Sequence, residues 1–274
     1  MDGAAASGST KGTGPLRSAH REGVLVLTLD APKSRNALSE EMIAALHTAI
    51  DAASVDPATA AVVIQADGPA FCAGHDLKQM TARRADPDRG RAYFATLMNA
   101  CAAMMQAIER SPKPVIAAVE GIATAAGCQL VATCDLAIAG PDARFGTPGV
   151  NIGLFCSTPM VALSRNVPRK KAMEMLLLGE TLDAEGAALY GLVNKVVPAD
   201  HVRAEALTWA QKIASKSPLT VAVGKEAFYR QIERGTADAY TMAAEVMVKN
   251  MLARDAEEGI GAFIEKRTPE WKGC

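Results

Sequence analysis

Short apolar runs bounded by turn residues alternate with longer amphipathic stretches until about Val202, and the pattern beyond is almost entirely helical. Gly23 to Asp30 alternates Val and Leu before Ala31-Pro32 and reads as a strand and its exit. Ser39 is placed to cap a helix running toward Ile50, with Glu40 and Glu41 in its first turn. Ala61 to Gln65 reads as a short buried strand, and Asp67-Gly68-Pro69 as the turn after it. A charged stretch from Ala82 to Gly90 is expected to be mobile. A long helix follows to about Arg110, with Leu97, Cys101, Met104, Met105 and Ile108 on its apolar side and Pro112 and Pro114 as its stop. Val115 to Val119 and Leu136 to Ala139 read as strands, and Arg169 to Leu178 as a helix. Three C-terminal helices are expected over Arg203–Ser215, Pro218–Gly235 and Thr236–Lys266. Their apolar stripes need a partner surface, in the core or on another subunit.

This order of short strands and crossover helices predicts an α/β fold with mainly parallel pairing. With 274 residues the chain is long enough for one large core. Hydrophobic residues make up 49% but aromatics only 4%, so packing must rely on Ala, Val, Leu, Ile and Met. The net charge of −1 gives no general pull toward nucleic acid or an anionic membrane. No apolar run reaches bilayer length, so no membrane insertion is expected. Residues 1–15 are mostly Gly, Ala, Ser and Thr and read as a disordered tail without a signal or transit pattern, which makes the soluble cytoplasm the expected location. The six cysteines form no CxxC pair, so reduced thiols are expected and no metal site.

Two glycine loops carry the candidate chemistry. The first is Phe71-Cys72-Ala73-Gly74-His75-Asp76-Leu77. Small Ala73 and Gly74 let a ligand approach the backbone, and the N–H of His75 is then free to face a ligand oxygen. The His75 imidazole is a second candidate, as a base or acid near neutrality. Asp76 reads as a turn-shaping carboxylate that accepts local amides. The second loop, Gly121 to Gly127, follows a strand and runs into an apolar helix, whose start favours an anionic oxygen. It lacks the Lys-Ser/Thr ending of a phosphate-binding P-loop. Gln129, two positions on, can orient water or a carbonyl but cannot remove a proton at neutral pH. Cys72 and Cys128 flank the loops without a paired histidine and read as packing residues.

Together the motifs resemble the crotonase, or enoyl-CoA hydratase/isomerase, superfamily over Leu16 to Trp271. The resemblance rests on Pro32-Lys33-Ser34-Arg35-Asn36-Ala37-Leu38, Phe71 to Lys78, Pro114 to Asp135, Phe145-Gly146-Thr147-Pro148, Gly191-Leu192-Val193 and Gly261 to Arg267. Within the superfamily, Ala123 to Leu130, Thr147 to Asn151 and Gly153 to Pro159 are similar to the mitochondrial enoyl-CoA hydratase domain-containing protein 3 group. The resemblance implies a crotonase-like (ClpP/crotonase) spiral of ββα units over 16–201 with the acyl-CoA site, and a C-terminal helical trimerisation region over 202–274. It implies a homo-trimer, or a hexamer built as a dimer of trimers.

Residue by residue, the resemblance puts two oxyanion amides at His75 and Ala126 and the family's two catalytic glutamates at Gln129 and Gly149. Neither of those two handles a proton. Coenzyme A, as part of the substrate and with no tightly bound cofactor besides, would meet the backbone near Lys33, Arg35 and Ala37. Ala73, Asp76, Leu77 and Lys78 would line the start of the ligand path, with the Ala73 carbonyl facing adenine. Lys266, with Phe263 nearby, would reach phosphate from an adjacent subunit. An enzyme of the lyase or isomerase type in fatty acyl-CoA metabolism is implied, with ordinary hydration in doubt. Three functions stay open: hydratase or isomerase, another enolate reaction such as acyl-CoA decarboxylation or a thioesterase, and noncatalytic acyl-CoA binding.

Overall fold

A computed structural model describes residues 14–274, so most of the tail expected over 1–15 lies outside the described residues. The first hairpin pairs β1 (Leu16–Arg21) antiparallel with β2 (Val24–Leu29). Its two-residue turn has Glu22 at φ 49° and Gly23 at φ 80°, the twist that right-handed strands accept. α1 (Glu40–Val55) follows, and the Ser39 hydroxyl accepts the Met42 N–H at its start, as the sequence predicts. The helix runs five residues past Ile50 because Ile50 and Ala53 are still buried.

The next part of the chain repeats one plan: a long strand, a short strand, then helix. β3 (Ala61–Ala66) and β4 (Ala70–Cys72) precede α2 (Leu77–Ala82) and α3 (Arg91–Arg110). β5 (Val115–Val119) and β6 (Ile122–Thr124) precede α4 (Ala126–Thr133). β7 (Leu136–Ala139) and β8 (Arg144–Gly146) precede a 3-10 turn at Pro148–Ile152 and then α5 (Pro159–Asn166). The chain continues through α6 (Arg169–Leu178), β9 (Thr181–Asp183), α7 (Ala184–Leu189) and β10 (Lys195–Val196). The longer strands, joined at one edge by the two-residue β10, form a sheet ordered β1-β2-β3-β5-β7-β10, parallel except at the β1–β2 hairpin. Short strands form a second sheet ordered β4-β6-β8-β9. Each turn of the coil thus adds one strand to both sheets, and the short strands deliver the loops.

Side-chain alternation splits the core. Leu25, Leu27, Leu29, Val62, Ile64 and Val115 belong to the cluster that includes α1 and α3. Val24, Val26, Val63, Ile116 and Ile138 pack with Val202, Ala206 and Ala210 of α8 (Val202–Ala214) on the other face. Both faces are covered, so β2 and β5 are buried throughout and read as continuous apolar runs. α8, counted with the helices seeking a partner surface, is therefore a layer of this core.

α9 (Pro218–Ile232) is fixed to the core by a buried lysine. Lys225 Nζ donates to the Ile108 carbonyl at 2.8 Å, the Lys113 carbonyl at 3.0 Å and Asp135 Oδ2 at 2.7 Å. Tyr229 donates to the other Asp135 oxygen at 2.9 Å, so the buried charge is fully partnered. The helix expected over Thr236–Lys266 is two helices, α10 (Thr236–Met251) and α11 (Arg254–Glu265), parted at Leu252-Ala253. These two carry exposed Tyr240, Met247, Val248, Met251, Phe263 and Ile264. The charged stretch at 82–90, expected to be mobile, is structured. Asp88 accepts the Gly90 and Ala92 amides at 2.9 Å each, and the Arg83 guanidinium lies 5.0 Å from the Tyr93 ring centre.

Candidate active site

The two glycine loops leave the C-terminal ends of neighbouring strands β4 and β6, which pair in parallel. They meet back to back. Gly74 sits at φ 88°, and a Cβ placed on it would lie 2.9 Å from Ala125 Cβ and 3.2 Å from the Ala126 nitrogen. Gly127 is tighter still: a Cβ there would stand 2.1 Å from the Cys72 carbonyl oxygen. Only glycine allows this approach at either point. Ala125 takes φ 51° and ψ −119°, a conformation that costs an alanine about 1–3 kcal/mol. That turn sets the Ala126 amide at the first position of α4, where no intrahelical acceptor exists.

The His75 amide is freed by a different device. Leu38 bridges to His75 in parallel, and its N–H donates to the Gly74 carbonyl at 2.8 Å. In such a bridge the facing residue turns its own N–H away. Among the hydrogen bonds of the described residues, none is donated by the His75 or Ala126 backbone N–H. Two unpaired amides thus lie on two loops in contact. The second loop is only partly a loop, since Ile122–Thr124 is strand β6 and Ala126 already begins α4.

Three side chains, His75, Gln129 and Thr147, carry buried polar atoms without a partner. Both ring nitrogens of His75 lack a partner, and burial pushes its imidazole below the ordinary range, with the neighbouring Leu38 carbonyl opposing only in part. The ring is therefore neutral at pH 7. Gln129 is only 6% exposed and its Oε1 has no donor; Thr147 is fully buried with an unpartnered hydroxyl. Asp76 caps α2, accepting the Lys78 and Gln79 amides at 2.9 and 3.1 Å, as read from the sequence. Burial pushes the Cys72 and Cys128 thiols up to about 12, which suits packing rather than nucleophilic cysteine.

Gly149 is buried in the 3-10 turn at Pro148–Ile152. A Cβ there would lie 2.6 Å from the Leu154 carbonyl oxygen and 2.8 Å from Cys156 Sγ. No side chain fits on position 149 without a backbone shift. Cys156, beside it, carries no spacing signal in the sequence, where it stands seven residues after Gly149.

The Lys33–Ala37 stretch lies against the first loop. The Arg35 carbonyl accepts the Ala73 amide at 3.1 Å, and the Ala73 carbonyl takes the Thr124 hydroxyl at 3.4 Å. Ala37 donates to Ser34 and accepts from Ser39, so its backbone holds the turn, leaving the exposed side chains of Lys33 and Arg35 free to face solvent. Buried Asn36 ties the turn down, with Oδ1 accepting the Ala31 amide at 2.8 Å and Nδ2 donating to the Asp67 and Ala70 carbonyls at 2.9 and 2.8 Å. Leu77 and Lys78 are exposed at the start of α2. Phe263, 84% exposed, and Lys266, at φ 57°, end α11, and the backbone hydrogen bonds there are local.

A sequence profile described as enoyl-CoA hydratase/isomerase matches residues 19–274. The chain belongs to the enoyl-CoA hydratase/isomerase family. It is 47% identical over 258 residues to the Xenopus laevis enoyl-CoA hydratase domain-containing protein 3, mitochondrial, covering 94% of this chain and 86% of that one. The crystal structure of an enoyl-CoA hydratase from Mycobacterium smegmatis superposes with a TM-score of 0.89 at 52% identity, over 94% of this chain and 98% of that one. The human enoyl-CoA hydratase domain-containing protein 3 structure gives 0.89 at 45% identity, over 94% and 100%. The fold is thus the crotonase fold that the motifs implied, with its ββα coil and C-terminal helices. The cytoplasmic location expected from the sequence is corrected. The Xenopus laevis relative and its rat, human and mouse counterparts, at 44–47% identity, are named as mitochondrial, which points away from the cytoplasm. A near-neutral charge and a globular composition are the same in either compartment and carry no address.

Proposed function

We propose that this family member binds an acyl-CoA thioester and stabilises its enolate between the His75 and Ala126 amides, without efficient hydration of an enoyl-CoA. The observation that carries this reading is the pair of unpaired amides on two touching loops. Pre-oriented donors need no reorganisation when charge develops on the thioester oxygen, and one such donor is worth roughly 3–4 kcal/mol. Lys33, Arg35 and Lys78 give the coenzyme A phosphates exposed cations beside the first loop, and Ala37, Ala73, Asp76 and Leu77 shape its path. Phe263 and Lys266 join the site from a neighbouring subunit of a trimer, or of a hexamer made of two trimers.

Hydration needs a group to activate water and a group to protonate the α-carbon. Gln129 cannot ionise, Gly149 has no side chain, and the Asp76 carboxylate is taken by the cap of α2. Acyl-CoA decarboxylation is the second reading, favoured by the packed Gly149. It needs the oxyanion hole and a pocket without a repelling carboxylate, but no strong base. A thioesterase would need an activated water that Gln129 alone does not supply.

The test is a panel of CoA thioesters with purified protein, scoring saturable binding, hydration, decarboxylation and free CoA by mass spectrometry. Binding with slow crotonyl-CoA hydration is expected. Absence of saturable binding across the panel would overturn the reading. So would crotonyl-CoA hydration at the ordinary enzyme rate of about 1–10³ per second that disappears on changing Gly74.

A further inference from the structure

Helix α8 does more than cover the sheet. Its second residue, Arg203, reaches the two corners at which the chain leaves β3 and β5 for the short strands. Nη2 donates to the Ala66 carbonyl at 2.6 Å and Nη1 to Asp67 Oδ1 at 3.0 Å, at the corner between β3 and β4. Nε donates to Glu120 Oε2 at 2.6 Å, at the corner between β5 and β6. β4 leads into the loop with the His75 amide, and β6 into the loop with the Ala126 amide. One guanidinium therefore holds the roots of both loops, and its planar fork fixes how they stand to each other.

The two corners touch through backbone, since a Cβ on Gly121, at φ 74°, would lie 2.6 Å from the Pro69 carbonyl oxygen. The first corner is also tied from elsewhere. Arg17 pairs with Asp30 and Asp67, and Asn36 Nδ2 donates to the Asp67 and Ala70 carbonyls. The second corner depends on Arg203, the one side chain among the described residues that bonds the Glu120 carboxylate. Val202, fully buried against the sheet, anchors the start of the helix that carries Arg203. The Arg203, Asp67 and Glu120 side chains are 42%, 35% and 33% exposed, and ion pairs so open to water add little stability. What this bridge supplies is geometry.

We infer that Arg203 is a positioning residue for the oxyanion hole: by clamping both corners it sets the spacing of the His75 and Ala126 amides. This rests on the oxyanion reading above. β4 and β6, three residues each, pair in parallel, so a shift at one corner passes along the strand to its amide. A displacement of about 1 Å is enough to spoil a preorganised contact with a thioester oxygen. Lysine carries the same charge on a single ammonium and cannot span both corners.

The experiment binds butyryl-CoA carrying carbon-13 at its thioester carbonyl and reads the carbonyl stretch by difference infrared spectroscopy, with affinity and urea midpoint measured in parallel. Hydrogen bonds from the two amides lower that frequency in the parent protein. Arg203→Met and Arg203→Lys are each expected to lose about half of the downshift, as one donor of the two goes out of line. Affinity should stay within about threefold of the parent and the urea midpoint should barely move, since exposed ion pairs are all that is lost. Glu120→Ala frees the second corner alone and should lose as much as Arg203→Met, with no further loss in the double variant, because the two act as one unit. Should Arg203→Met fail to fold, Glu120→Ala decides. A folded Arg203→Met or Glu120→Ala with the parental downshift overturns the inference and leaves the oxyanion reading in place. Full downshift in Arg203→Lys overturns it as well, by showing that charge suffices without the span. Binding by the parent without any downshift removes the oxyanion reading and the inference together, and so does the absence of binding.

Discussion

Helix α4 and the turn at Pro148–Ile152 each hold a position where the family resemblance places a glutamate, and they lack it in opposite ways. Gln129 fills a slot of glutamate size, buried and with an idle oxygen. Gly149 offers no slot, because the Leu154 carbonyl and Cys156 Sγ occupy it. One wall has kept the shape of an acid without its charge. The other has been rebuilt around a backbone oxygen and a sulfur. A site changed this way is reversible on one side only.

Four substitutions sharpen or break that contrast, taken from the largest expected effect. Gly149→Glu should cost about 4 kcal/mol, since overpacking against backbone adds to a buried, unpartnered carboxyl. A denaturant midpoint near that of the parent would show that the turn yields and that the two walls do not differ. Gly127→Ala, at the amide end of α4, should cost about 3 kcal/mol by forcing the helix off β4. Its unfolding free energy also tests whether the close approach of the loops is as rigid as the 2.1 Å separation implies.

Gln129→Glu is the counterpart on the roomy wall. It should cost about 2 kcal/mol at pH 7, because the shape is retained and the penalty is that of desolvating one carboxyl, without the overpacking met at position 149. Burial would raise the new carboxyl above its unfolded value, so stability relative to the parent should be highest in acid and fall as pH rises through the folded value. Crotonyl-CoA hydration should stay within tenfold of the parent, measured by loss of enoyl absorbance. A larger gain would mean that position 129 alone limits the reaction.

The smallest effect concerns His75. Its folded-state pKa is depressed from the ordinary 6.5, so the unfolded chain binds the proton more readily and this residue weakens the fold as pH drops through that value. The loss levels off below the folded pKa. His75→Asn should flatten the pH slope of stability across that window by less than about 1 kcal/mol, read from urea midpoints at several pH values. An unchanged slope would mean the imidazole is not held neutral by burial.

Much of the frame was legible in the residues. The helix at Arg169–Leu178 and the strands at Val115–Val119 and Leu136–Ala139 fall where their apolar runs and flanking prolines predict. The Ser39 and Asp76 caps follow from side-chain oxygens next to helix starts. The reading failed where the deciding neighbour is distant. For α8 the sequence left the core and another subunit equally open, because a stripe of Val202, Ala206 and Ala210 looks alike whether it covers a sheet or a subunit. The 82–90 stretch reads as polar and loose, yet its arginines stack on Tyr93 and Phe94. Lys225 gives no sign in the sequence of meeting carbonyls more than a hundred residues away.

By itself the sequence determined the alternation of strand and helix, the two glycine loops and the absence of acids at 129 and 149, because periodicity, capping and side-chain chemistry act within a few residues. Tertiary structure decided the contact of Gly74 with Ala125 and Ala126, the unpaired state of the two amides and the filling of the Gly149 side by Cys156. Those are properties of approach between segments, set by how close two backbones can pack, and no local pattern encodes that distance.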